Sequence, residues 1–207
     1  MELFPFQKDG VKFLRDRQQA ILTDEMGLGK TVQALVALPE DAAALIVCPA
    51  SLKSNWQNEI EKWTQLEPEI LAGVGSFRWP DPGEALITNY EILPHRYYTP
   101  DLKHRVHAIV DEAHYLKNPK SKRTIRWRGM LSKLLFANGC AWLMTGTPIV
   151  TSPADLWGLL QSANLHTHAY GNWKIFKEIW GAHIGAFDQI VWYPNLIQKN
   201  LARQGLD

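Results

Sequence analysis

Asp24-Glu25-Met26-Gly27-Leu28-Gly29-Lys30-Thr31 is the stretch that decides the fold. A polyphosphate needs closely spaced backbone N–H donors, a lysine charge and a magnesium ligand. Gly27 and Gly29 let the backbone bend and approach where a side chain would obstruct it. Lys30 can reach the β- and γ-phosphates, and Thr31 can ligate magnesium. A helix beginning near Lys30 aims its positive end at the anion. The bland alternative is a glycine turn joining a strand to a helix, with Lys30 solvated. A dinucleotide fingerprint is excluded, because position 32 is Val where a third Gly belongs. One departure stands out: the generic loop has Gly at the position of Asp24.

The surrounding chain alternates short apolar runs with longer amphipathic stretches, the pattern of a parallel α/β sheet flanked by helices. Residues Phe6 to Arg17 read as a helix with Val11, Phe13 and Leu14 on its apolar face. Ala20 to Thr23 reads as a strand entering the loop, and Thr31 to Leu38 as the helix leaving it, stopped by Pro39. Ala44 to Cys48 is a second buried strand. Leu52 to Trp63 is helical, with Leu52, Trp56, Ile60 and Trp63 at helical spacing. Ala85 to Thr88, Val106 to Val110 and Ala141 to Met144 complete the strands. Their ends carry Thr88-Asn89-Tyr90, Asp111-Glu112 and Thr145-Gly146-Thr147. Ligands of open parallel sheets bind at the carboxyl ends of strands, so polar motifs gathered at that edge reinforce one another.

Val106 to Val110 suits a strand buried on both faces. Asp111 at its end can hold magnesium, and Glu112 can orient and deprotonate an attacking water. Adjacent carboxylates repel unless a cation or solvent intervenes. Gly73 to Gly83 reads as a surface connection. Beyond Leu160 the rhythm fades, and residues 165–207 read as a small helical appendage rich in tryptophan.

The 207 residues suffice for one sizeable core, and a net charge of +1 advertises no global affinity for nucleic acid. Cys48 and Cys140 sit in apolar runs, which suits a reducing, intracellular setting without structural disulfides. Met1-Glu2-Leu3-Phe4-Pro5 lacks a basic region followed by an apolar stretch, so no secretion signal is expected, and no run is long enough to span a bilayer. No Cys-x-x-Cys or Gly-x-Ser-x-Gly occurs, which removes zinc ribbons and hydrolase elbows. His166-Thr167-His168 is read as a surface loop in preference to a metal site. No acidic residue occurs between Glu112 and Asp155, while Lys117, Lys120, Lys122, Arg123, Arg126, Arg128 and Lys133 fall inside that window. Two readings stand for it: a phosphate-neutralising face and a solvated basic helix.

These motifs, in this order over roughly residues 3–160, resemble the first RecA-like lobe of a superfamily 2 helicase-type ATPase. More narrowly, they resemble the Snf-type (Swi/Snf) double-stranded DNA translocases. Pro5-Phe6-Gln7 with Gly10-Val11 and Phe13-Leu14 is similar to the family's adenine-recognition motif, which implies a base contact for Gln7. Asp24 through Thr31 matches the family's form of the phosphate loop, Asp24 included, with Met26 to Thr31 as the nucleotide-binding residues. Ile46 to Leu52 with Trp56 is similar to a motif that tracks a DNA backbone, which implies a contact at Ser51. Thr88-Asn89-Tyr90 resembles another strand-contact motif. Asp111-Glu112-Ala113-His114 resembles the DEAH magnesium and water-activating motif. Thr145-Gly146-Thr147-Pro148 with Pro153 and Leu156-Trp157 resembles the motif coupling nucleotide state to DNA grip. The Ser152 to Leu156 run is similar to the annealing-helicase branch.

The resemblance implies a RecA-like ATP-binding lobe over residues 1–164 and the start of an inter-lobe protrusion over 165–207. It implies ATP and Mg2+ as ligands, with Lys30, Asp111 and Glu112 catalytic and Thr31 and Asp111 on the metal. It implies double-stranded DNA gripped by its backbone, and a second RecA-like lobe that supplies arginine fingers. The given sequence ends at Asp207, leaving no length for that lobe, so the expectation is a half-engine with little turnover alone. A nucleotide-dependent binding module that never hydrolyses, and the motor lobe of a restriction or RNA-remodelling system, are the alternatives. Glu112 argues against the first, because a module that attacks nothing needs no base.

Overall fold

The computed structural model describes residues 3–73, 75–95, 102, 104–148, 152–185 and 190–192. Its centre is a six-stranded, wholly parallel sheet built from β1 (Gln19–Leu22), β2 (Ala43–Cys48), β3 (Glu67–Ile70), β4 (Glu84–Asn89), β5 (Val106–Val110) and β6 (Cys140–Met144). The spatial order is β1-β6-β5-β2-β4-β3. Helices α1 (Pro5–Arg15), α2 (Lys30–Ala37), α3 (Lys53–Trp63), α4 (Lys122–Phe136) and α5 (Pro153–Ser162) connect and cover it.

Alternation along the buried strands divides the core in two. Ala44, Ile46, Cys48, Ile109 and Trp142 face a cluster with Leu14, Leu35, Trp56 and Ile60 from α1, α2 and α3. Leu45, Val47, Ala108, Val110 and Leu143 face a second cluster with Trp127, Met130, Leu131 and Leu134 from α4 and Leu159 from α5. The sheet is therefore sandwiched between two helical layers, which is why its central strands read as continuous apolar runs. Buried tryptophans need a partner for the indole N–H. Trp142 donates to Arg17 O and Trp127 to Ser162 O.

The expected strands lie where the sequence places them, within a residue or two. The expected helix from Leu52 begins instead as a 3₁₀ turn, Ala50–Leu52, before α3. β3 was not anticipated: it is the edge strand, half exposed, and among the described residues it pairs only with β4. The connection ahead of β4 is less superficial than its composition implies. Trp79 is buried, and Arg78 pairs with both Glu69 and Glu84.

After α5 come α6 (His166–Tyr170) and α7 (Trp173–Ile179), then an antiparallel pair, β7 (Ala182–Ile184) and β8 (Ile190–Trp192). The appendage is thus not purely helical. His166 and His168 lie on α6, with His166 edge-on to Trp157. Leu156, Trp157 and Leu160 of α5 share one aromatic cluster with Tyr170 and Phe176, so packing is continuous across residue 164. Residues 186–189 and 193–207 of the expected appendage fall outside the described residues. No described helix is long and apolar enough to cross a membrane.

His107 on β5 gives this core an acid sensitivity. Its ring lies beside Trp142, 5.6 Å between centroids, and its Nδ1 has no hydrogen-bond partner among the described residues. Burial first, then the Arg105 charge, pushes its pKa down to about 4, against an opposing pull from Asp41. The unfolded chain takes up this proton near pH 6.5, so stability is lost as pH falls from about 6.5 towards 4. The expected loss from this one group is about 2 kcal/mol between pH 7 and pH 5. Urea unfolding at the two pH values should show a difference that shrinks by about that amount in His107→Leu.

Candidate nucleotide site at the carboxyl edge of the sheet

β1 runs directly into the glycine loop, and α2 begins at Lys30. Gly27 has φ 87° and Gly29 φ 74°, left-handed conformations that L side chains resist. Gly29 is the residue capping α2, so the loop turns directly into the helix. At Gly27 an added Cβ would meet nothing within 4 Å; conformation and not crowding selects glycine there. Lys30 Nζ donates to Asp24 O (2.6 Å) and Glu25 O (2.9 Å), which lays the ammonium across the mouth of the loop.

β5 delivers Asp111 and Glu112 two strand positions from that loop, with β6 between. The Asp111 amide continues the ladder to Val47 O (2.8 Å). Its carboxylate accepts from the Trp56 indole (Oδ2, 2.9 Å) and from the Glu112 amide (Oδ1, 2.9 Å). Glu112 is held at φ 50° and ψ 46°, a left-handed conformation costing about 1–2 kcal/mol in a non-glycine residue. Tyr90 braces this kink by donating its hydroxyl to Asp111 O (2.6 Å). Burial, then the Asp111 charge, raises the Tyr90 pKa, so the hydroxyl keeps the proton it donates. The same two causes push Cys48 up to about 12, which leaves it an unreactive thiol.

The loop after β6 joins the two halves. His114 Nδ1 lies 3.2 Å from Glu112 Oε2 and 3.2 Å from Thr145 Oγ1. Thr147 donates its amide to Thr145 Oγ1 (3.1 Å). On the other side, a Cβ added to Gly146 would stand 2.9 Å from Met26 Cγ and 3.8 Å from Asp24 O. One short segment therefore packs on the phosphate loop and reaches the acidic pair through His114.

These residues fit a magnesium triphosphate. The glycine loop offers amides without side-chain obstruction. Each Asp111 oxygen has one N–H donor and keeps a further lone pair for a cation or its water. Lys30 and Thr31 stand together at the start of α2.

A family model for the SNF2-related domain matches residues 6–200. The chain belongs to the SNF2-related family. It is homologous to the N-terminal helicase lobe of this superfamily 2 group. It is 35% identical over 204 residues to the human DNA annealing helicase and endonuclease ZRANB3, covering 90% of this chain and 18% of that protein. It is 33% identical over 179 residues to helicase SWR1 of Debaryomyces hansenii, covering 76% of this chain and 11% of that one. In fold it matches the Sulfolobus solfataricus SWI2/SNF2 ATPase core in complex with dsDNA, with a TM-score of 0.71 at 24% identity. That match takes in 98% of this chain and 42% of the Sulfolobus chain. The RecA-like sheet expected of the SNF2-related family is thus present, and this chain spans a minor part of its relatives' length.

The remaining candidate residues are distributed unevenly in this SNF2-related lobe. Ser51 and Thr147 are exposed. Asn89 is largely buried and donates to Glu91 (2.6 Å). Thr88 is fully buried, so in this conformation its side chain does not reach a ligand on the surface. Tyr90 is equally covered and acts on the Asp111 backbone. Gln7 lies at the loop, donating to Leu28 O (3.3 Å). Two contacts escape sequence reasoning: that of Trp56, placed by the resemblance in a DNA-tracking motif, with Asp111, and that of Gln33 of α2, which donates to Asp24 Oδ2 (3.0 Å). The second explains why Asp stands at position 24. Its carboxylate gives the loop an anchor on α2 that glycine lacks.

Proposed function

We propose that this chain is the ATP-binding lobe of an ATP-dependent double-stranded DNA translocase or remodeller, and that full hydrolysis needs a second RecA-like lobe. The observation that carries the reading is the contact path from Glu112 through His114 to Thr145, with the next residue, Gly146, packed on Met26. A lobe that only held nucleotide would need the loop but not a wired connection from a catalytic base to a neighbouring strand end.

In this reading Gly27, Gly29 and Lys30 hold the phosphates, and Thr31 and Asp111 hold the metal. Bound magnesium would neutralise phosphate charge and favour attack by water. Glu112 takes the proton from that water. His114 bridges Glu112 to Thr145, so a change at the base is felt in the loop after β6. Ser51, Asn89 and Thr147 lie along the same edge of the sheet and provide the DNA side of the coupling. The second lobe contributes arginine fingers, worth about 10³–10⁵ in turnover.

The test is steady-state ATP hydrolysis by this chain alone and with a second SNF2-type lobe added, each with and without duplex DNA. DNA-stimulated turnover that depends on the added lobe is expected. Equal DNA-stimulated turnover by the chain alone would overturn the half-engine, and stimulation by RNA in place of duplex DNA would overturn the substrate.

The basic face on α4 takes part in structure as well as charge. Arg126 donates to Glu91 O (2.8 Å), and Arg123 lies 5.1 Å from the Tyr115 ring centroid. Reversing charge at Lys122 and Arg123 should weaken duplex binding and flatten its dependence on salt by about two counterions. Titrations over a range of salt concentrations read this directly, and unchanged binding would make α4 a solvated face.

A further inference from the structure

The Leu28–Gly29 peptide is held by two glutamines from different helices. Gln7 Nε2 of α1 and Gln33 Nε2 of α2 both donate to Leu28 O, at 3.3 Å and 3.2 Å. A trans peptide points its carbonyl and its following N–H in opposite directions. Fixing Leu28 O on the helix side therefore aims the Gly29 amide away from it, towards the mouth of the loop. Each glutamine is itself held. Gln7 Oε1 accepts from the Phe4 amide (3.1 Å), and Gln33 also donates to Asp24 (3.0 Å).

Gln33 is fully buried, and its Oε1 has no hydrogen-bond partner among the described residues. It fits only because position 10 is glycine: a Cβ there would stand 1.7 Å from Gln33 Oε1. A buried amide oxygen left without a donor is costly. Its retention is accounted for by what the Nε2 end does at Asp24 and Leu28.

We propose that Gln7 and Gln33, with Gly10 making room for the second, are positioning residues that aim the Gly29 amide at a bound phosphate. Gln7 then acts on the phosphates through the peptide plane, whatever base is attached to them. This inference rests on the nucleotide-site reading above, and it assigns to Gln7 a role separable from contact with adenine.

The test compares binding of ATP with binding of inorganic tripolyphosphate, which has no base, both with magnesium. Wild type, Gln7→Leu, Gly10→Ala and Lys30→Ala are measured, together with the thermal midpoint of each unliganded protein. Gln7 is partly exposed, so Gln7→Leu should keep its midpoint and bind tripolyphosphate roughly fivefold more weakly, the worth of one hydrogen bond. Gly10→Ala, which touches no ligand, should lower tripolyphosphate affinity in the same direction by displacing Gln33. Weaker ATP binding with unchanged tripolyphosphate binding in Gln7→Leu would overturn the proposal and leave Gln7 a base reader. Wild-type tripolyphosphate affinity in Gly10→Ala would overturn the part assigned to Gln33. Equal affinity of wild type and Lys30→Ala for both probes would instead overturn the nucleotide-site reading itself.

Discussion

Glu112→Gln in the two-lobe motor is expected to leave ATP binding near its wild-type level and to reduce turnover by about 10²–10⁴, the range for loss of a positioned general base. The substitution keeps the side chain's shape and its left-handed backbone, φ 50°, but removes the basic oxygen. It also takes the charge from the contact with His114 Nδ1, 3.2 Å away. Coupling should therefore fall along with chemistry. DNA should cease to alter the residual ATP-hydrolysis rate, because His114 links Glu112 to Thr145 at 3.2 Å. Single-turnover hydrolysis beside equilibrium ATP binding separates the two effects. A variant with weakened binding and proportionate loss of turnover would show Glu112 holding ligand and not activating water.

Gly158→Val is expected to cost about 3 kcal/mol or more in stability, the upper range for overpacking a core. A Cβ at position 158 would stand 1.8 Å from Lys117 O and 2.7 Å from Lys117 C. The obstacle is backbone, so no side-chain rotation relieves it. The contact is part of a wider grip of α5 on the turn that follows the acidic pair. Ser162 donates to Leu116 O (3.2 Å), Thr124 from α4 donates to the same oxygen (3.2 Å), and Lys117 pairs with Asp155 (3.3 Å). Forcing α5 away should thus disturb Glu112 and His114 as well as the core. A drop of roughly 6–12 °C in the thermal midpoint is expected for a domain of this size. A midpoint within 2 °C of wild type would mean that α5 slides at no cost, and that the site is not braced from this side.

The sheet was legible because its central strands are covered on both faces and so appear as largely apolar runs, unbroken in Ala43–Cys48 and interrupted only by His107 in Val106–Val110. β3 escaped because an edge strand keeps polar residues: Glu67-Pro68-Glu69-Ile70 is half exposed and shows no such run. The β7–β8 pair escaped because strands of three residues carry too little periodicity. In α4 the charges drew the eye, although Trp127, Met130, Leu131 and Leu134 form a buried stripe between them.

The site shows the same division. Gly27, Gly29, Lys30, Asp111 and Glu112 stand out in the sequence as candidates because the chemistry proposed for them admits few substitutes. Trp56 was visible as an apolar position of a helix and as part of a DNA-tracking motif, but its bond to Asp111 spans 55 positions of sequence. Gln33 looked like an ordinary helix residue. Its place among buried neighbours, Ala34 and Leu35, is the signal that a polar side chain there must have work to do. Thr88 shows the opposite case, since a residue near the end of a strand, within a stretch that resembles a strand-contact motif, can still be wholly covered.

The central claim is that the glycine loop and the acidic pair form one magnesium-nucleotide site. Its most direct test is equilibrium binding of a fluorescent ATP analogue to this chain, with magnesium and with chelator, for wild type, Lys30→Ala and Asp111→Ala. Saturable, magnesium-dependent binding by wild type is predicted. Lys30→Ala should weaken it at least tenfold, by loss of a charge-assisted contact, and Asp111→Ala should abolish most of the dependence on magnesium. Binding that is the same in all three proteins, or indifferent to the metal, would contradict the claim.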